Sequence, residues 1–145
     1  MRICIPIPCF FSDMDFVSAI HKVKELGFDA AETYNWKSLD LEAVRHACEE
    51  TGVEFLSMCT TEFNMTNPEM RQKWLDGLKE SCQAANIAGV KHLITQVGSD
   101  TGAERGFQHE SIVGALKAAR PILEDTGVTV MIEPLNTLVN HPGYY

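Results

Sequence analysis

The run Thr126-Gly127-Val128-Thr129-Val130-Met131-Ile132-Glu133 is the last of four segments built on one plan. In each, a glycine closes a helix-like stretch, and a short, mostly apolar, strand-like run follows. The earlier copies are Leu26-Gly27-Phe28-Asp29-Ala30-Ala31-Glu32, Thr51-Gly52-Val53-Glu54-Phe55-Leu56-Ser57 and Ala88-Gly89-Val90-Lys91-His92-Leu93-Ile94. Glycine suits the position after a helix because it takes the left-handed backbone conformation without a Cβ clash. The spacing between successive glycines leaves room for one strand and one helix per repeat.

Between the glycines the apolar residues recur at helical intervals. Phe16, Ile20 and Val23 share a face after a cap at Ser12 or Asp13, and Leu41, Val44 and Cys48 do so after Asp40. Asn67-Pro68 supplies a cap and a first-turn proline, after which Met70, Trp74, Leu78, Cys82 and Ala85 run down one side. Ile112, Leu116, Ala119 and Leu123 mark a fourth helix, which Pro121 is expected to kink because proline removes a backbone donor. The strands fall at about 2–7, 29–34, 54–59, 92–96 and 128–133. Strands alternating with helices imply right-handed crossovers and a parallel sheet. No linker or low-complexity stretch divides the chain, so residues 1–145 read as a single domain.

Five strands and four helices suit either a small open α/β sheet or the first part of a (β/α)8 barrel, which usually needs about 250 residues. The sequence stops at His141-Pro142-Gly143-Tyr144-Tyr145, just past the fifth strand, whereas an open sheet normally ends on a packed element. The expectation is therefore a partial TIM barrel, the N-terminal portion of the whole.

Composition narrows the function classes. The chain is 45% hydrophobic and 22% charged, with a net charge of -8 from 12 basic and 20 acidic residues. That balance repels phosphate backbones and speaks against nucleic-acid binding. No apolar run reaches the roughly 18 residues of a membrane span. The first residues are too short and too proline-broken for a signal-peptide core. Five scattered cysteines without a CxxC pattern argue against a disulfide framework or a zinc knuckle. A cytoplasmic protein with its native start is expected.

In either architecture ligands bind beyond the carboxyl ends of the strands. Glu133 stands there at the end of the fifth strand, and the following Pro134 keeps its backbone extended. A carboxylate so placed can hold a divalent metal or move a proton. Alternation along the strand puts Thr129, Met131 and Glu133 on the inner face, and Val128, Val130 and Ile132 beneath helices. Glu32 holds the corresponding place on the second strand, where pairing with a helix residue is the expected use of its charge. Gln96 can donate to a substrate oxygen or tie loops together. Asn136 and His141 follow Glu133 in the same loop, and His141 is suited to act as a ligand or acid near neutral pH. Gly98-Ser99-Asp100-Thr101-Gly102-Ala103-Glu104-Arg105-Gly106 lacks the Gly-Lys-Ser/Thr ending of a phosphate loop and reads as a flexible connection before the fourth helix. Arg105 within it reads as solvated or as reaching an anionic substrate.

Ile132-Glu133-Pro134-Leu135-Asn136-Thr137, with His141-Pro142-Gly143-Tyr144-Tyr145 after it, resembles the sugar isomerase and epimerase superfamily of xylose-isomerase-like TIM barrels, in particular its hydroxypyruvate isomerase branch. The glycine-capped repeats and Leu93-Ile94-Thr95-Gln96-Val97-Gly98 fit the same likeness. The resemblance implies that Glu133 ligates a divalent metal, Mg or Mn, and takes part in acid–base chemistry. It implies that Gln96, Asn136 and His141 contact the substrate, a small hydroxycarbonyl acid or a sugar undergoing an aldose–ketose shift. The family's other metal ligands lie on strands six to eight, so residues 1–145 are expected to be inactive alone and to hold no metal by themselves.

Three other readings compete. A ketose 3-epimerase typically continues Glu-Pro-Leu-Asn-Arg-x-Glu, where this sequence has Thr137 and Val139. Zinc-dependent abasic-site endonucleases share the barrel but need early histidine ligands, and the third strand here ends Ser57-Met58-Cys59-Thr60. The third is a non-catalytic half-barrel, forming homo-oligomers through its open sheet edges.

Overall fold

A computed structural model describes residues 2–145 and shows one five-stranded sheet. Its strands are β1 (Cys4–Pro6), β2 (Ala30–Thr33), β3 (Glu54–Cys59), β4 (His92–Thr95) and β5 (Thr129–Ile132). All neighbouring pairs are parallel, and the order across the sheet is the order in the chain. The helices are α1 (Ile7–Phe10), α2 (Phe16–Glu25), α3 (Leu41–Thr51), α4 (Arg71–Ala88) and α5 (Arg105–Thr126). A 3-10 turn at Pro68–Met70 leads into α4. The only antiparallel pairing among the described residues is a single bridge, Ser99 to Tyr144, outside the strands.

The repeat glycines do what their position requires. Gly52, Gly89 and Gly127 each sit at a helix C-cap in the left-handed conformation, and Gly27 adopts it one residue after the cap of α2. The chain then enters the next strand.

Several local details differ from expectation. The cap of α2 is Asp15, whose Oδ1 accepts from the Ser18 N–H at 2.9 Å, and neither Ser12 nor Asp13 fills that place. The stretch after β1 turns at once into α1, because Pro8 has a φ already suited to a first helical turn. The first strand is therefore shorter than the apolar run. Pro121 does lie inside the fourth long helix, as read from the sequence, and α5 continues through it.

Most of the core lies between the sheet and α3, α4 and α5. Trp74, Leu78, Met58, Leu93 and Val90 are fully buried there, and α2 closes a smaller cluster around Ile20, Val23 and Ala31. Val128, just before β5, is buried and Val130 within it packs against the core, as the alternation predicts. Ile132 shares their face but is 45% exposed. Its expected helical cover is missing because no described helix follows β5. Among the described residues no helix is long and apolar enough to cross a membrane.

Candidate active site at the strand ends

A bulge in β3 decides what faces the sheet's inner side. Ala31 pairs with Phe55, yet the next residue of β2, Glu32, pairs with Ser57, so β3 carries one extra residue at Leu56. Such a bulge re-aims the side chains that follow it. Phe55 packs into the core, and Ser57 lies opposite Glu32, with its Oγ donating to Glu32 Oε2 at 2.8 Å. Glu32 is thus tied to a neighbouring strand, not to a helix residue. Hydroxyl and carboxylate meet only because the bulge restores the inner face to Ser57.

Buried polar groups fix the ends of β3 and β4. Thr60 Oγ1 donates to Thr95 Oγ1 at 2.9 Å, and the Trp74 indole N–H reaches the same oxygen at 3.4 Å. The Trp36 indole N–H donates to the Cys59 carbonyl at 2.9 Å. At the end of β5 the Glu133 N–H donates to the Thr95 carbonyl at 3.0 Å, continuing the ladder past the strand.

A cavity of about 470 Å³ opens over these ends, lined in part by Pro6, Glu32, Tyr34, Cys59, Gln96, Glu133 and His141. The Gln96 amide donates to Glu133 Oε2 at 3.0 Å. Burial, then the negative charges of Glu133 and Glu32, push the Cys59 thiol up to about 11. Cys59 therefore remains a neutral thiol near pH 7 and is no activated nucleophile.

The sequence-derived candidates separate into two groups. Glu133, Gln96 and His141 line one cavity. The His141 ring makes an edge contact with Tyr144, with centroids 5.6 Å apart. Asn136 instead spends its side chain on the loop, its Oδ1 accepting from the Leu138 and Val139 N–H groups at 3.1 Å each.

The connection after β4 is pinned, in contrast to its expected flexibility. Buried Gln108 donates to Asp100 Oδ1 and to the Ala103 carbonyl, and its Oε1 accepts from the Thr101 N–H. Arg105 stacks its guanidinium 4.3 Å from the Tyr145 ring centre. Tyr145 and Gly143 bond back to Gly98 and Asp100, so the loops after β4 and β5 are laced together. Sequence reasoning placed Glu32 at the corresponding strand end but expected its charge to pair with a helix residue, and did not foresee Ser57 as its partner. The only clue was its position at the end of the second repeat.

Residues 20–145 match the family model described as "Xylose isomerase-like TIM barrel". The chain belongs to this family. A curated Danio rerio protein named "Putative hydroxypyruvate isomerase" is 26% identical over 159 residues, covering 100% of this chain and 58% of that protein. Two solved structures share the fold at 20% identity. One is titled as an AP endonuclease, family 2, from Brucella melitensis, with a TM-score of 0.88, covering 99% of this chain and 59% of that one. The other is a 3-keto-D-glucoside 4-epimerase from E. coli, with a TM-score of 0.79, covering 94% and 57%. This xylose isomerase-like chain spans under two thirds of the length of each, and its five sequential parallel strands form a partial (β/α)8 barrel.

Among the described residues no three His, Cys, Asp or Glu side chains gather in a metal-holding arrangement. Glu133 offers a single carboxylate, with one oxygen already engaged by Gln96. A divalent ion thus does not find a full ligand set within these residues.

Proposed function

We propose that the chain contributes a proton-moving carboxylate, Glu133, to an isomerase acting on small hydroxycarbonyl compounds. The observation that carries this reading is the placement of Glu133, at the end of β5 in the strand-end cavity, with Oε2 held by Gln96. A carboxylate fixed on one oxygen keeps the other available to a proton on carbon beside a carbonyl. Positioned proton transfer of this kind is the chemistry of an aldose–ketose shift. Gln96 orients the base, and His141 borders the same cavity where a substrate oxygen would lie. The relative's name supports hydroxypyruvate as the first substrate to try, with tartronate semialdehyde as its product. Sugar 3-epimerisation needs the same proton abstraction and is the second reading.

The resemblance implies a divalent ion, Mg or Mn, which Glu133 would help to hold and which would supply positive charge near the reacting oxygens; the further donors it would need are not among the described residues. Residues 1–145 alone are therefore proposed to be inactive. The test follows deuterium uptake from D2O by NMR, using full-length protein with hydroxypyruvate or D-fructose. Uptake with aldose–ketose conversion, lost in Glu133→Gln, supports isomerisation; uptake with inversion at carbon 3 supports epimerisation. No uptake, or uptake unchanged in Glu133→Gln, removes Glu133 from the chemistry. The exposed turn after β5, with Leu138 92% and Val139 73% exposed, would then favour a self-associating half-barrel.

A further inference from the structure

We propose that Glu32 is a substrate-binding residue that receives hydroxyl groups, so the end of the substrate lying against β1–β3 carries hydroxyls and neither carboxylate nor phosphate. This deepens the Glu133 reading and rests on it.

Glu32 lines the same cavity as Glu133 and belongs to the inner row Pro6–Glu32–Ser57 set by the strand register. It is only partly exposed. Its Oε2 accepts from the Ser57 hydroxyl, whereas among the described residues no hydrogen bond reaches Oε1. No Lys or Arg is among the described residues lining the cavity. Glu32 Oε1 is therefore open to the cavity, where water donates to it in the free protein and a ligand can take that water's place. Its chemistry selects the ligand, because a carboxylate only accepts. Hydroxyl groups donate, while an ionised acid or phosphate both lacks the proton and meets a like charge.

Ser57 keeps this acceptor from moving. Ser57 is buried next to the bulge, and its hydroxyl fixes the carboxylate before any ligand arrives. Such preorganisation lowers the ordering cost of binding. Glu32 and Glu133 also act together on Cys59, which places the thiol within reach of both fields. The cavity therefore has two functions at two ends: Glu133 for the reacting carbon and Glu32 for a remote hydroxyl.

The experiment uses full-length protein supplied with Mn, assayed on dihydroxyacetone, D-fructose, D-psicose and hydroxypyruvate. The best of the first three, each of which carries a hydroxyl away from the reacting carbon, is carried forward; a higher kcat/KM on hydroxypyruvate, which has none, overturns the proposal. Glu32→Gln keeps the shape and removes the charge. Its KM is expected to rise about tenfold, the loss that follows when a hydrogen bond is no longer charge-assisted, with kcat within about threefold of wild type. Ser57→Ala leaves the charge but frees its position, and should raise KM in the same direction by less. Circular dichroism checks that each variant is folded; if Glu32→Gln is not, the KM of Ser57→Ala decides. An unchanged or lower KM, or a fall in kcat at constant KM, overturns the proposal. Wild-type protein inactive on all four substrates overturns the Glu133 reading and this one with it. Activity lost in Glu133→Gln but indifferent to Glu32→Gln overturns this one alone.

Discussion

The side-chain amide of Gln96 donates to Oε2 of Glu133 over 3.0 Å, joining the ends of β4 and β5 through two uncharged-to-charged partners. The contact lies one residue beyond each strand, where the backbone ladder has just closed with the Glu133 N–H on the Thr95 carbonyl. Backbone and side chain thus hold Glu133 from two directions, which turns a loop carboxylate into an oriented one.

Replacing Gln96 with Leu removes the amide donor at little change in size. In full-length protein kcat/KM is expected to fall about tenfold, the equivalent of one hydrogen bond to a charged group. Steady-state kinetics check it, and Gln96→Asn should fall between Leu and wild type if the donor can still reach.

Gly98→Ala tests the lacing of the loops. Gly98 has φ +111°, and an added Cβ would stand 2.4 Å from the Phe63 carbonyl oxygen, a backbone atom that cannot swing aside. A loss of about 2 kcal/mol or more is expected, read from the urea midpoint. Gly102→Ala, at φ +75° with no atom near its would-be Cβ, should cost less.

Trp74→Ala should be the more damaging core change, at about 3 to 5 kcal/mol. Trp74 is fully buried, and its indole N–H reaches Thr95. The variant removes packing and also leaves the Thr60–Thr95 pair without a neighbour beneath it. Chemical denaturation measures the loss.

Acid should loosen two loop ends in a defined way. The Gln108 amide, followed by the Gly102 N–H, holds Asp100 below the ordinary aspartate value of 3.8. Ser18 does the same for Asp15 at the start of α2. A carboxylate whose folded value is depressed stabilises the fold above its unfolded value, and that contribution is lost as pH falls through the folded value. Stability should therefore decline below about pH 4, and Asp100→Asn or Asp15→Asn should flatten that decline. Denaturation midpoints across pH check the slope.

The thiols should react in a set order. Exposed Cys9 should be alkylated first, and Cys59, pushed up to about 11 inside the cavity, at least about tenfold more slowly near neutral pH. Mass spectrometry after timed iodoacetamide treatment reads both.

Much of this fold is written locally. The bounds of β3, the Asp40 cap of α3 and the four glycine stops follow from neighbouring residues, because caps and left-handed turns depend on short-range chemistry. What escaped is what depends on a partner far along the chain. The extra residue at Leu56 is defined only by where β2 pairs, so the Ser57–Glu32 bond left no periodic signature. The turn in which the Asn136 oxygen accepts from Leu138 and Val139 is likewise seen only in the structure. Position at a strand end was enough to single out Glu133; its tie to Gln96 required the register between two strands separated by the whole of α5.

Each strand lies beside its predecessor in sequence, from Cys4 against Ala30 to His92 against Thr129. Every pairing therefore closes a loop of only roughly 25 to 40 residues, a modest entropic demand for a parallel sheet. A chain emerging from the ribosome can dock each strand–helix unit onto the last before the next is made. At every stage the newest strand is paired on one side only, as β5 is with β4, so the growing edge is always the vulnerable one.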